Sequence, residues 1–500
     1  MKTQKYSDGD PIIAIEVGSN KCRLKCSPSL FIQLQKKLSI RNRNAYYIKM
    51  RIKGLRGWDG YNQYITDSGS FDTGLLPLVY NTIKELSDNE IVFIDVRELP
   101  VFKKDIPTVI GGRMMREYQV KAIESIKNNK VGKLKFPMGL IDAATNAGKT
   151  MIAMGIHMSV SNAKTVYLVN QLDLYKDALE EFQKVFGHNN VGYIQGKNLK
   201  WADIMICMVP TLRTQMPVVL AKISQYNVLI FDECDTALAP SNKKIIQFFY
   251  NAPIRIGLSG SIDKATDPNT NRKLHAIFGD VIFKISNKEL IDSGYSANIQ
   301  LRMLPGSDLD KSTVTSFDKE YENGIIKNDY RNNMVIKRIR YFLSKGIEPI
   351  LVICKNHQHI EILYRKALKE FGDKYTVKYV HHLKPDRKQI QDDFAKGKID
   401  ILIGSYILKR GKNFPYTRYL CNAAGGLSAS NVLQVMGRLL RIHPELKEKV
   451  KYIDDFWDSG KHLLKHSKKR FKVYEKEGIS IKNKKIITGY DRTSTKNKTK

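Results

Sequence analysis

Five hundred residues exceed what one hydrophobic core supports, so the chain is expected to divide into two to four domains. Eighty-three Lys and Arg against 50 Asp and Glu leave a formal charge of +33 and a pI near 9.7, which points to a polyanionic partner, nucleic acid first. The polar start (Met1, Lys2, Thr3, Gln4), with no apolar run near the ~18 residues of a membrane span, argues against a membrane-embedded class. Six scattered cysteines read as reduced thiols of a cytoplasmic protein, in the host cytoplasm if it is phage-encoded.

Residues 1–105 carry short strand-like segments and turns, the texture of a small N-terminal domain. Cys22 and Cys26 form a C-x3-C pair with no second pair to complete a zinc site, and they read as strand residues. Between Val17 and Trp58 there are eleven Lys or Arg and no Asp or Glu, interleaved with Phe31, Tyr46, Tyr47 and Trp58. Such a one-sign surface holds phosphates through counterion release, and its aromatics stack on unpaired bases or wedge a junction. The alternative places two or more of the four aromatics in the core of the small domain. Phosphate contacts carry no base information, so the expected binding is structure-selective.

Farther along, the apolar runs TVYLV (165–169), NVLIF (227–231), EPILVIC (348–354) and IDILIG (399–404) read as buried parallel strands. They group into two α/β lobes, 106–295 and 296–460, with the turn-forming MLPGSDLDKSTVTS (303–316) near the boundary. After GLI (139–141) comes Asp142-Ala143-Ala144-Thr145-Asn146-Ala147-Gly148-Lys149-Thr150 and then a helical stretch, the strand, loop and helix order of a phosphate cradle. Gly148 lets the backbone approach phosphate, Lys149 neutralises the β- and γ-oxygens, and the Thr150 hydroxyl ligates Mg2+. Ala143 stands where the full pattern has its first glycine. The strand Val228–Phe231 then delivers Asp232, expected to hold the Mg2+, and Glu233, expected to orient or deprotonate the attacking water. Later, Gln434-Val435-Met436-Gly437-Arg438-Leu439-Leu440-Arg441 puts Arg438 and Arg441 on one helical side, a spacing that aims two guanidiniums at a transferring phosphoryl group. Since the pair belongs to the second lobe, its use requires the lobes to meet. Residues 461–500 hold fourteen Lys or Arg against Glu475, Glu477 and Asp491, and read as a basic helix or loose tail.

Taken in order over about residues 113–458, these segments resemble the superfamily 2 helicases. The resemblance implies two tandem RecA-like parallel-sheet lobes behind a small α+β domain, with ATP and Mg2+ as cofactors. Arg116-Glu117-Tyr118-Gln119 resembles the segment ahead of the P-loop, which casts Gln119 as the adenine reader with Arg116 beside it. Thr145, Asn146 and Ala147 join Gly148, Lys149 and Thr150 around the phosphates. VYLVNQLDLYKDALEEF (166–182), MVPTLRTQ (208–215), GLSGS (257–261) and GSYILKRGKNF (404–414) resemble, in turn, two strand-contacting motifs, the motif coupling hydrolysis to movement, and the one touching both nucleic acid and nucleotide. From these the resemblance implies nucleotide contact by Gly411 and nucleic-acid contact by Arg56, Trp58, Thr211, Lys355 and Ser405; Asn413 departs from the Asp usual two residues after the glycine. Asp235 matches DEAD-box RNA helicases, but the surrounding text is closer to the phage UvsW-type branch-migration helicases, where DECH and GLSGS neighbour one another and TSAG mirrors residues 145–148. Arg56-Gly57-Trp58-Asp59-Gly60 and FDTGLLPLV (71–79) resemble the small DNA-binding domain of that family. The expected function is an ATP-dependent DNA helicase or translocase on branched or forked DNA. Its rivals are an RNA helicase, a non-catalytic nucleic-acid-binding protein on a helicase scaffold, and a restriction-complex motor.

Overall fold

Strands such as Thr165–Val169, Val228–Asp232 and Ile350–Cys354 are buried at every position rather than at alternate ones, the signature of sheets covered on both faces. The computed structural model describes residues 12–483 apart from 53, 55, 56, 145, 197, 216, 261, 263–266, 307–315, 406, 407, 409–413, 427–435 and 437–449. The chain divides into two compact units, Met1–Ile285 and Ser286–Lys500.

The first unit holds an eight-stranded sheet in the order Asn198–Lys200, Val191–Gln195, Ile204–Met208, Thr165–Val169, Val228–Asp232, Ile254–Ser259, Met138–Ala143, Val281–Ile285. Every pairing is parallel except that of the edge strand Asn198–Lys200. Register sets Asp142 beside Ser259 and Asp232 beside Leu258, so the ends of three neighbouring strands deliver their loops to one edge of the sheet.

The same unit carries an α+β layer, with strand order Ser70–Asp72, Lys21–Lys25, Ile13–Val17, Ile91–Asp95 and the helices Pro28–Leu38 and Leu76–Leu86. Its core is continuous with the larger sheet: Leu34, Phe71 and Val79 share one apolar cluster with Val131, Phe136, Met138 and Ala276. Gly74 makes the close fit possible, since a Cβ there would lie 2.2 Å from the His275 carbonyl oxygen and 2.7 Å from that of Ala276. Polar clamps complete the seam, with the buried Arg255 Nη2 donating to Asn20 Oδ1 (2.5 Å), and Asn62 Nδ2 to Asn269 Oδ1 (2.7 Å). Residues 12–105 are thus built onto the first lobe. Cys22 sits buried in the strand Lys21–Lys25, and among the described residues no group of three or more His, Cys, Asp or Glu is placed to hold a metal ion.

In the second unit seven parallel strands run in the order Val377–Val380, Ile401–Ser405, Ile350–Cys354, Tyr419–Asn422, Val450–Trp457, Asn298–Pro305, Ser480–Ile481. One expectation is corrected here. The linker drawn at 303–316 begins inside a strand, where Met303, Leu304 and Pro305 pair with Asp455, Phe456 and Trp457, and the division between units falls earlier, at Ile285/Ser286. Of the two forms expected for the basic stretch after Lys461, its start takes the helical one. His462–Lys476 is a helix that buries Leu463, Arg470, Phe471 and Tyr474, and Ser480–Ile481 then closes the sheet edge. The lysines that suggested a tail, Lys465, Lys469, Lys472 and Lys476, occupy its exposed face. Among the described residues no helix is long and apolar enough to cross a membrane.

Candidate active site

The chain leaves the buried strand Met138–Ala143 and reverses through Asn146 (φ 82°) and Gly148 (φ 74°) into the helix Lys149–Ser159. Asn tolerates the left-handed region better than most residues, and Gly does so freely. At 148 a side chain would also have to displace the bracing amide of Gln119, because a Cβ would approach its Nε2 to 2.5 Å. The first-turn N–H groups of this helix have no intrahelical acceptor and face the loop, the arrangement that receives an anion.

Gln119, expected to read adenine, braces this loop. Its Oε1 accepts from the Arg116 backbone N–H (3.0 Å) and its Nε2 donates to the Ala147 carbonyl (2.9 Å). One partner donates and the other accepts, which settles the amide orientation. Tyr118 Oη also donates to Ala147 O (2.9 Å), while Arg116 Nη1 reaches Tyr118 Oη (2.8 Å) and Asn146 O (3.3 Å). The segment 116–119 therefore grips the loop backbone at 146–147. Thr145 lies outside the described residues.

Lys149 Nζ lies 3.2 Å from Glu233 Oε1, joining the loop to the end of the acidic strand. Burial works against the ammonium, but Glu233 and Asp232 outweigh it and hold Lys149 above its ordinary value. Asp232 is buried and its carboxyl is raised by that burial; Lys149 pulls it down, Glu233 pushes it up, and a hydrogen bond from Tyr167 Oη to Oδ2 (2.8 Å) again favours the charged form. Its Oδ1 accepts from the Glu233 N–H (3.0 Å). Glu233 itself adopts φ 53°, a costly conformation for Glu that aims its side chain at Lys149. One turn on, Asp235 is raised chiefly by burial and then by Glu233, and it accepts from Ser259 Oγ at 3.4 Å, so the acidic segment touches the end of Ile254–Ser259.

Tyr167 was missed by sequence reasoning. Its hydroxyl donates to Asp232 Oδ2 and lies close to Thr150, the other residue expected at the metal. The signal was available: a hydroxyl in the middle of the wholly buried TVYLV must find a polar partner, and the adjacent strand ends in Asp232. A hydroxyl and a carboxylate are hard oxygen donors of the kind Mg2+ takes from protein, so Thr150 and Asp232 fit that ion.

The expected nucleic-acid contacts are spread over both units. Thr211 sits partly exposed on the short helix Val209–Leu212. In the second unit, Ser405 ends Ile401–Ser405 and Lys355 follows Ile350–Cys354, so register brings the two to one edge of the sheet. Lys355 Nζ is held 5.0 Å from the centre of the Tyr321 ring and 5.7 Å from that of Phe317. In the N-terminal layer Phe31 packs against the core and Trp58 is half-buried, its Nε1 donating to Tyr61 O (2.7 Å). Tyr46 and Tyr47 remain 70% and 67% exposed, edge to face on the helix Ala45–Arg51, which buries no residue. Arg56, Gly411, Asn413, Arg438 and Arg441 lie outside the described residues.

Residues 113–264 match the family described as type III restriction enzyme, res subunit, and residues 332–443 match the helicase conserved C-terminal domain. The chain is 23% identical over 372 residues to a putative ATP-dependent helicase, IRC3, of Saccharomyces cerevisiae, covering 68% of this chain and 51% of that protein. It is 24% identical over 332 residues to the ATP-dependent DNA helicase uvsW of Enterobacteria phage T4, covering 64% of each. The alignments thus span about half of the first relative and under two thirds of the second. Among solved structures, a fragment of a putative HsdR subunit of a type I restriction enzyme from Vibrio vulnificus YJ016 shares the fold, with TM-score 0.50 and 19% identity over 68% of this chain and 64% of that one.

Proposed function

The chain is a superfamily 2 helicase related to the UvsW type, and from that premise we propose that it is an ATP-dependent DNA motor acting on branched or forked DNA. The observation that carries the hydrolytic half is the Lys149–Glu233 pair at 3.2 Å, set against Asp232, Tyr167 and Thr150 on one edge of a parallel sheet. Mg2+, when bound by Thr150 and Asp232, supplies positive charge to the β- and γ-phosphate oxygens. Lys149 exchanges its carboxylate partner for phosphate oxygens, which releases Glu233 to orient water. Gln119, Tyr118 and Arg116 keep the loop backbone in place during that exchange. Arg438 and Arg441 are assigned, from their spacing, to the developing charge on the γ-phosphoryl group.

The DNA half of the reading is supported by charge and exposure. Tyr46 and Tyr47 stand in solvent on a helix that also carries Lys49 and Arg51, aromatic faces beside phosphate-binding cations. Substitution is a better probe of this layer than truncation, because removing residues 1–105 would uncover Phe136 and Met138. The test is steady-state ATP hydrolysis at low salt with no nucleic acid, single-stranded DNA, duplex, a four-way junction and RNA, with Glu233→Gln as control. Stimulation greatest with the junction, and reduced when Tyr46 and Tyr47 are both Ala, supports the proposal. Greater stimulation by RNA would replace it with an RNA motor, and none by any polymer would remove the motor reading.

A further inference from the structure

The basic stretch after Lys461 has no part in the nucleotide site, yet it forms a firmly anchored helix, His462–Lys476. Buried groups hold its inward side. Arg470 meets the Asp455 carboxylate at 2.9 and 3.1 Å, and Ser467 Oγ accepts from the Asp458 N–H at 3.0 Å. At its start the His462 and Leu463 N–H groups each donate to the buried Glu320 carboxylate at 2.9 Å, which satisfies donors that a helix end leaves open. These acids are turned inward, and Glu477 just past the helix accepts from Asn287 Nδ2 (2.7 Å). The outward side carries the opposite sign. Lys461, Lys465, Lys469, Lys472 and Lys476 are exposed, with Lys468 half-buried beside them, and the helix holds a single acid, Glu475. At 3.6 residues per turn all six lysines fall within about a third of the helix circumference.

Ordinary solvated helices of this chain pair their lysines, as Lys121 does with Glu117 and Lys184 with Glu180. Among the described residues none of the five exposed lysines of this stripe makes an ion pair. Like charges four residues apart destabilise a helix, and here they recur at Lys461/Lys465, Lys465/Lys469, Lys468/Lys472 and Lys472/Lys476. Phosphates laid along the face would replace the missing acids and remove that repulsion. Phe471 and Tyr474 are buried, so the face offers cations without the exposed rings that Tyr46 and Tyr47 present on the helix Ala45–Arg51. Unpaired bases are gripped by stacking, whereas a duplex hides its bases and shows phosphate. From Lys461 to Lys476 the stripe measures about 22 Å, the length of about six phosphates along one strand of a duplex. Resting on the DNA-motor reading above, we propose that this face of the second unit is a duplex-binding surface, which holds a double-stranded arm of the DNA by its phosphates alone. It reads no sequence, and it acts with or without nucleotide, since none of its lysines belongs to the nucleotide site.

The experiment measures binding of the full chain, without nucleotide, to a fluorescent DNA duplex and to one of its strands alone over a range of salt concentrations. The first variant combines Lys465→Gln, Lys469→Gln, Lys472→Gln and Lys476→Gln. Its slope of log K against log salt for duplex is expected to shrink by about 0.9 for each lysine that holds a phosphate, about 3.6 if all four do, with affinity at about 0.1 M salt down at least tenfold. Single-strand affinity is expected to stay within about threefold of wild type, because the stacking rings are untouched. A second variant places Gln at Lys337, Lys345, Lys369 and Lys374, exposed on or just after the helices Asp329–Leu343 and His357–Phe371. It has the same net charge as the first and is expected to keep the wild-type slope. All these positions are exposed, so circular dichroism and DNA-free ATP hydrolysis of both variants are expected to match wild type. A wild-type slope in the first variant, an equal loss in the second, or equal losses for duplex and single strand overturns the duplex surface and leaves the motor reading standing. Tighter binding of double-stranded RNA than of DNA, lost in the first variant, overturns DNA as the occupant. The expected loss of duplex binding, found together with ATP hydrolysis that no polymer stimulates, keeps the surface and overturns the motor.

Discussion

Replacing Tyr167 by Phe removes one oxygen atom and probes the whole nucleotide site. The lost bond runs from a buried hydroxyl to the buried Asp232 Oδ2 at 2.8 Å. A hydrogen bond to a charged acceptor contributes about 1.5–3 kcal/mol, so the variant is expected to lose stability of that order. The sign of its pH dependence follows from linkage. Burial already raises Asp232, and the Tyr167 bond favours its ionised form. Without that bond the folded variant holds the carboxyl proton to higher pH than wild type does. The stability deficit is therefore full at pH values above the variant's higher pKa, shrinks as pH falls from there to the wild-type pKa, and is smallest below it. The proton also competes with Mg2+ for the carboxylate, so the Mg2+ concentration supporting half-maximal ATP hydrolysis is expected to rise several-fold in mildly acidic buffer and to approach wild type in alkaline buffer. Denaturant titrations and Mg2+ titrations at two pH values read both effects. A deficit and a Mg2+ requirement that are the same at both pH values would refute the assigned role of Tyr167.

Glu233→Gln is expected to lower kcat by about 10²- to 10⁴-fold with ATP binding retained, because it removes the base and the carboxylate that competes with phosphate for Lys149, measured by single-turnover hydrolysis and nucleotide binding. Gly74→Ala forces a Cβ against the His275 carbonyl, so its cost of about 1–3 kcal/mol in thermal or denaturant unfolding is expected without a change in KM for ATP. Lys451 is buried, its Nζ donates to Pro415 O (2.8 Å), and burial pushes its pKa down to about 7. The unfolded chain then binds the extra proton between about pH 7 and the ordinary lysine value, so stability rises with pH across that window, and Lys451→Met is expected to abolish the rise.

Composition and short contiguous patterns were enough for the two parallel-sheet lobes, since a run such as VLIFD is apolar throughout only if both its faces are covered, and the residues that follow such a strand must lie at its C-terminal edge. For the same reason Lys149, Asp232 and Glu233 were legible as one set before any coordinates: each follows a buried strand, and their chemistry has few other uses. Tertiary structure decided what depended on partners distant in sequence. It turned Gln119 to the backbone of Ala147, bound the Tyr167 hydroxyl to Asp232, and packed the basic stretch after Lys461 as a helix whose Leu463, Phe471 and Tyr474 complete a core. It also built residues 12–105 onto the first lobe through Gly74 and Arg255, where sequence texture had suggested a separate body. The physical reason is common to all four. Local patterns report which faces a segment must hide, whereas the partner of a buried hydroxyl, amide or guanidinium is chosen by the packing of segments far apart in the chain, and no window of sequence contains both ends of that bond.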